Sequence, residues 1–240
     1  MTKRFIRFQK YIERLKQIYI HSICSFYVYE AIQESKAQNI LGEEKAEENA
    51  KTMGNYKGLF STLEYGLKIH SLMELAKIFD NAEGSLHINK LINFAKSNTK
   101  HLSSNDFKEA NQEREFIDEL TKEYEGLKKS DFEELDEMMS VNAELIEKLK
   151  VYRNQYLAHE DKKKKNINIA VEEVKKLFNI VEKILNMLSS KTNFSTTMFE
   201  QLKEECKEDT KFAVIHLKQM ERYRLKKPQE DKIDEQNNSS

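Results

Sequence analysis

Phe8-Gln9-Lys10-Tyr11-Ile12-Glu13-Arg14-Leu15-Lys16-Gln17-Ile18-Tyr19-Ile20-His21-Ser22-Ile23 decides the fold class of this chain. Phe8, Tyr11, Ile12, Leu15, Ile18, Tyr19, Ser22, Ile23 and Phe26 recur at steps of three and four, the period of a helix face and not of a strand. The pattern predicts a first helix reaching to about Ser35. Composition extends that prediction to the rest: 240 residues carry one Pro and six Gly, with Glu, Lys, Leu, Ile and Ala abundant, which favours long uninterrupted helices over a sheet with many turns. An all-α, multi-helix bundle with long antiparallel helices is expected, its length fitting one large domain or two small ones.

Beyond Gly42, the acidic stretch Glu43 to Asn55 reads as either a helical extension or a mobile connection. Tyr56 to Phe79 is apolar nearly all round, which predicts a central helix covered on several sides. Asp80 to Gly84 breaks it, and Ser85 is a candidate cap for a helix presenting Ile88, Leu91, Ile92 and Ala95. Ser97 to Asp106 reads as a polar loop, followed by a helix with Phe107, Ala110, Ile117, Leu120 and Tyr124. Ser130 or Asp131 then caps a helix whose stripe runs Leu135, Met138, Asn142, Leu145, Ile146, Leu149, Tyr152, Arg153 and Tyr156. A further helix carries Val174, Leu177, Phe178, Val181, Ile184, Leu185 and Leu188, with Ser189 to Thr197 expected as a loop. The last helix, about residues 197–225, is expected to bury Met198, Leu202, Cys206, Phe212, Ala213, His216 and Met220. Residues 1–226 are read as one helical domain, the last helix packing on or extending the bundle. Residues 227–240, which lack apolar anchors, are read as a disordered tail.

A net charge of −1, from 40 basic and 41 acidic residues, excludes a global field that would attract polyanions, so any nucleic-acid site must be a local patch. The start, Met1 to Lys16, is basic, but the apolar run after it is interrupted by His21, Ser22 and Ser25 and has no small-residue cleavage site. No stretch approaches the roughly 18 apolar residues of a membrane span, so a soluble, unprocessed chain without membrane contact is expected. Cys24 and Cys206 match no zinc or redox spacing, which suggests structural thiols in a reducing cytoplasm. No histidine pair has metal-ligand spacing and no Gly-rich phosphate loop, nucleophile elbow or dinucleotide fingerprint occurs, so neither metal nor cofactor is expected. His21, His70 and His216 fall on or beside apolar faces and read as satisfied core or interface residues; His87 and His101 fall near loops.

The candidate site is Arg153-Asn154-Gln155-Tyr156-Leu157-Ala158-His159. Arginine stays cationic and offers a planar fork to a phosphate, while histidine exchanges a proton near neutral pH. An arginine on a buried stripe must be answered, and the plain structural answer is an intrachain salt bridge to a glutamate. Six residues at 100° per step put His159 about 240° round from Arg153, off its face. Either the helix loosens before His159, or each residue meets a counterpart from a second subunit. Tyr152 and Tyr156 can stack on an unpaired base or simply pack with their hydroxyls outward. Lys162, Lys163, Lys164 and Lys165 can hold an RNA backbone or form a solvated loop.

Arg153-Asn154 followed by Tyr156-Leu157-Ala158-His159 resembles the Arg-x(4–6)-His signature of the HEPN superfamily, in which a polar residue commonly follows the arginine. Ser71 to Asp80, followed by Ser85 to Ile92, is similar to the abortive-infection branch of that superfamily, known from phage defence; the resemblance spans roughly Phe5 to Leu188. It implies a helical bundle that dimerises so that two motifs line one composite cleft. It also implies a metal-independent endoribonuclease acting as a toxin or defence effector, with an antitoxin protein as a possible partner. Other members only bind, so a non-catalytic module holding a nucleotide, an RNA or a protein partner is the alternative. In the active reading a ribose 2′-hydroxyl attacks the adjacent phosphorus, leaving a 2′,3′-cyclic phosphate and a 5′-hydroxyl. His159 serves there as general base or acid, Arg153 neutralises phosphoryl charge, and Asn154 orients the phosphate or the ring.

Overall fold

The computed structural model describes residues 2–82, 84–158 and 168–237. Among them no strand occurs, and the chain forms a helical bundle, as composition and periodicity predict. The helices are α1 (Thr2–Glu34), α2 (Gln38–Leu41), α3 (Glu43–Asn55), α4 (Lys57–Ile78), α5 (Ile88–Ser97), α6 (Ser104–Ala110), α7 (Ile117–Glu123), α8 (Lys129–Val141), α9 (Ala143–Tyr152), α10 (Val171–Asn193) and α11 (Phe199–Asn237). A 3₁₀ turn covers Thr99–His101 and a π-helical turn covers Arg153–Ala158. None of the helices among the described residues is long and apolar enough to cross a membrane.

The chain divides into two compact units, one of residues 1–23 and 69–199 and one of residues 24–68 and 200–240. The first holds the candidate site. Its core joins Phe5, Phe8, Leu15 and Tyr19 of α1 to Leu75 and Ile78 of α4, Leu91 of α5, Leu149 of α9 and the apolar stripe of α10. Ser22 Oγ donates to the Ser71 carbonyl at 2.7 Å, and Tyr19 OH donates to Glu182 at 2.5 Å, so the buried hydroxyls that tie α1 to α4 and α10 are satisfied. Phe107, Tyr124 and Phe194 form an aromatic cluster with Phe5, which anchors the short helices α6 and α7.

In the second unit Ile32, Met53, Phe60 and Val214 form the core cluster, with Leu63, Leu67 and Leu217 packed on it. Lys207 pairs with Glu30 and Glu34 at 2.7 and 2.9 Å, and Glu48 takes Lys218 at 2.7 Å and Arg222 at 2.5 Å. Cys24 and Cys206 are brought together here. Burial, and then the hydrogen bond to the Cys24 thiol, push the Cys206 thiol up to about 12. Because the thiolate is the nucleophile, Cys206 is expected to react with iodoacetamide at pH 8 at least about 10-fold more slowly than a thiol of ordinary pKa, as read by mass spectrometry. Alkylation at the ordinary rate would contradict that environment.

Several local expectations are corrected. Helix α4 is covered along Ser71 to Phe79 but largely exposed before that, with Tyr65 73 % and Leu59 51 % exposed, so a helix apolar all round is not central along its whole length. The expected helix from Asp131 through Tyr156 is broken at Asn142, whose side-chain amide donates to the Met138 carbonyl at 2.8 Å and so competes with the backbone ladder. Asp131, expected as a cap, acts from the third helical position by accepting the Lys128 N–H at 2.7 Å. The polar helix after residue 106 is two short helices, α6 and α7, and α6 begins inside the expected loop at Ser104. Helix α10 continues to Asn193, into the expected loop from Ser189.

The buried side of α11 is Phe199, Lys203, Thr210 and Val214, while Met198, Phe212, Ala213, His216 and Met220 are exposed. The aliphatic stem of a lysine covers apolar surface while its ammonium lies over a ring, as Lys203 does over Tyr27, and an apolar stripe count misses that use. The backbone of α11 is helical as far as Asn237.

Candidate functional site

The last α-helical residue of α9 is Tyr152, and Arg153 opens the π-helical turn with φ −54° and ψ −50°. Hydrogen bonds from residue i to i+5 widen the helix, so α-helical rotation no longer relates Arg153 to the residues after it. This is the loosening that appeared as one of two alternatives in the sequence. His159 itself, with Lys162, Lys163, Lys164 and Lys165, lies outside the described residues, and the side chain of Tyr156 is not described.

Arg153 is half-buried and answered by an acid, though not by a glutamate. Its Nη1 donates to Asp80 Oδ2 at 2.8 Å, and its Nε donates to Asn154 Oδ1 at 3.0 Å. Asp80 follows the C-terminal end of α4 and also accepts the Asn81 N–H at 2.8 Å, so the carboxylate is held by its own turn before the arginine reaches it. Burial alone would push the Asp80 carboxyl up. The hydrogen bonds from Arg153 and Asn81, with the charges of Arg153 and Lys150, outweigh it and hold the group below the usual carboxylate range. Among the described residues these bonds engage Nε and Nη1 of Arg153, which leaves the Nη2 edge of the fork for a ligand oxygen. Asn154 is exposed, and Tyr152 is half-buried.

His87, placed near a loop by the sequence, is the buried histidine beside this pair and caps α5 in place of Ser85. Its Nδ1 accepts the Lys90 N–H at 3.1 Å, which assigns the ring proton to Nε2. Burial, then the charge of Lys90, push the imidazole below its ordinary range, with Asp80 opposing them and Lys150 adding to them. Its position immediately before the stripe of Ile88, Leu91, Ile92 and Ala95 is the signal that could have identified the cap. His21, His70 and His216, expected in core or interface positions, are exposed and so are not core residues, because an apolar neighbour in sequence does not fix which side of a helix packs.

Because the His87 ring is held neutral, protonation must break its cap. Stability from this group is complete above the unfolded value of about 6.5 and falls as pH drops below it, where the unfolded state binds the proton more readily. Wild-type protein is therefore expected to lose thermal stability between pH 7 and pH 5 relative to His87→Asn, which caps without titrating. Parallel melting curves for the two proteins across that range would contradict the assignment.

Among the described residues, the charges acting on Asp80 and His87 are those of Arg153, Lys150 and Lys90 beside the Asp80 carboxylate itself, so cations predominate around this pair. A guanidinium with an open donor edge among such cations has the chemistry to bind a phosphoryl group. Among the described residues no group of three His, Cys, Asp or Glu side chains is placed to hold a metal ion.

The HEPN_AbiU2 family model, described as AbiU2, matches residues 5–212. No curated protein and no solved structure matches the chain.

Proposed function

Because the chain belongs to the HEPN_AbiU2 family, we propose that it is a metal-independent endoribonuclease serving as a phage-defence or toxin effector. The observation that carries this reading is Arg153 at the start of a π-helical turn, its guanidinium oriented by Asp80 and Asn154 within a cationic cluster. In the reaction His159 serves as general base or acid: the 2′-hydroxyl gives up its proton to a base as its oxygen attacks phosphorus, the P–O5′ bond breaks, and the 5′-oxygen takes a proton from an acid to leave as a 5′-hydroxyl. Arg153 neutralises the oxygens of the pentavalent phosphorane, and Asn154 helps orient the phosphate. DNA lacks the nucleophile and is spared. Tyr152, Tyr156 and the lysines of residues 162–165 are proposed to contact RNA next to the motif.

Two copies related by a two-fold axis are proposed to pair their motifs across one cleft, in the cytoplasm, with an antitoxin protein as a possible further partner. Sedimentation tests the pairing, and RNA cleavage in EDTA tests the activity. One feature favours a second reading: the Arg153 fork is engaged by Asp80. In a non-catalytic module the same fork would bind a nucleotide, RNA or protein ligand without turnover. Expression separates the two, because a nuclease slows host growth and its His159→Ala variant does not, whereas a binding module is harmless in both forms.

A further inference from the structure

The basic start of the chain is not used by the catalytic scheme. In α1, Lys3, Arg7, Lys10 and Arg14 are exposed and recur at steps of four and three, so they form one stripe along the helix. Among the described residues none of the four forms a salt bridge with a carboxylate.

Beside this stripe a layered stack rises from the core. Phe8 is fully buried and lies parallel to Phe94 with ring centroids 6.2 Å apart. The Arg7 guanidinium lies over Phe94 at 5.6 Å and over Tyr11 at 5.2 Å, and its Nε donates to Tyr11 OH at 2.8 Å. Arg7 is thus an exposed cation held against two rings that meet edge to face. Arg4 Nη1 donates to Asn98 Oδ1 at 2.9 Å and brings a further cation to the same side of α5.

That side of α5 is an open hollow of about 440 Å³, lined by His87, Lys90, Asn93, Phe94, Ser97 and Asn98, with no carboxylate in its lining. The first turn of α5, which carries His87 and Lys90 of this lining, is tied to the candidate site through hydrogen bonds from Asn89. Asn89 donates to Asn81 Oδ1 at 3.0 Å, the Asn81 N–H donates to Asp80 Oδ1 at 2.8 Å, and Asp80 Oδ2 accepts from Arg153.

We propose that the α1–α5 face is a track for single-stranded RNA. The phosphates run along Lys3, Arg7, Lys10 and Arg14, a base packs on the Arg7 guanidinium, and the strand enters the Arg153 site past His87. The chemistry is that of sequence-tolerant single-strand binding: cations spaced along a backbone, with a flat π-bearing platform among them. The four exposed cations along α1, with no carboxylate in the neighbouring hollow, fit the regular charge of a phosphodiester strand. The inference rests on the ribonuclease reading for its direction of travel, but its test does not depend on cleavage.

The probe is a fluorescein-labelled 2′-O-methyl uridine oligomer about 12 nucleotides long, which has no free 2′-hydroxyl to attack with. Its anisotropy is titrated with the full chain across a salt series. Arg7→Glu/Lys10→Glu is expected to weaken binding at least about 10-fold at ~0.1 M salt and to flatten the salt slope by about 1.4, two phosphate contacts' worth on a single strand. Lys122→Glu/Lys129→Glu, an equal charge change at exposed positions on α7 and α8 of the same unit, is expected to keep near-wild-type affinity. Arg7→Gln, with an unchanged melting temperature, guards against a folding defect and should show a smaller loss in the same direction. Loss confined to the α1 variants supports the track even if the wild type cleaves nothing. Equal loss in both double variants, unchanged affinity in the α1 variants, or no binding by the wild type overturns it. Cleavage by the wild type alongside unchanged binding in the α1 variants leaves the nuclease standing without the track.

Discussion

Arg153→Ala and His159→Ala are each expected to lower RNA cleavage by at least about 10³-fold, the combined scale of a lost charge-stabilising donor or a lost proton-transfer group. The two substitutions should differ in their side effects. Removing Arg153 leaves Asp80 ionised, part-buried and without its cation, which is expected to cost about 1–2 kcal/mol, between an exposed pair and a fully buried one. In a chain of this size that is a fall of several degrees in melting temperature. His159→Ala is expected to lose the rate with little change in melting temperature. Their double variant should be scarcely slower than either alone, because groups that act on one transition state fail together. Cleavage retained by both single variants would remove the catalytic assignment.

Asp80→Ala is expected to lower kcat about 10–100-fold, more than it changes KM, because the freed guanidinium no longer presents the same edge to phosphate. Asp80→Asn, which keeps an acceptor for Nη1 but drops the charge, should recover part of that loss. The pH dependence separates positioning from proton transfer. The Asp80 carboxyl is held below its ordinary value, so its contribution to stability is present above about 3.9 and is lost only as pH falls through the lower folded value. Asp80 therefore stays ionised through the acid limb of the rate profile, and that limb should keep its midpoint in Asp80→Asn. A faster Asp80→Ala enzyme would mean that the ion pair restrains Arg153 instead of presenting it to substrate.

How far each feature was legible in the sequence depends on the physical origin of its signal. The three- and four-residue recurrence in α1 and α10 reports a face that must be buried, and both helices appear where that pattern lies. Arg153 stood out because a cation on such a face needs an answer, yet the answer came from Asp80, 73 residues away, which no local pattern connects to it. His87 escaped for a similar reason. A histidine cap looks like a loop residue until its ring nitrogen is seen to accept the Lys90 N–H. The face of α11 was misplaced because Lys203 and Thr210 occupy buried positions that an apolar count assigns to solvent. The π-helical turn sits where α-helical rotation failed to place Arg153 and His159 on one face, so the geometric conflict was readable although its form was not. Arg7 over Phe94 was out of reach altogether, since α1 and α5 meet only in the folded chain.

The most direct measurement is a cleavage assay of purified wild-type protein on single-stranded RNA in excess EDTA, with the product ends identified by mass spectrometry. The expected cuts persist in EDTA, leave 2′,3′-cyclic phosphate and 5′-hydroxyl ends, and vanish in His159→Ala. An intact RNA, cleavage that requires added divalent cation, or 5′-phosphate ends would contradict the assignment.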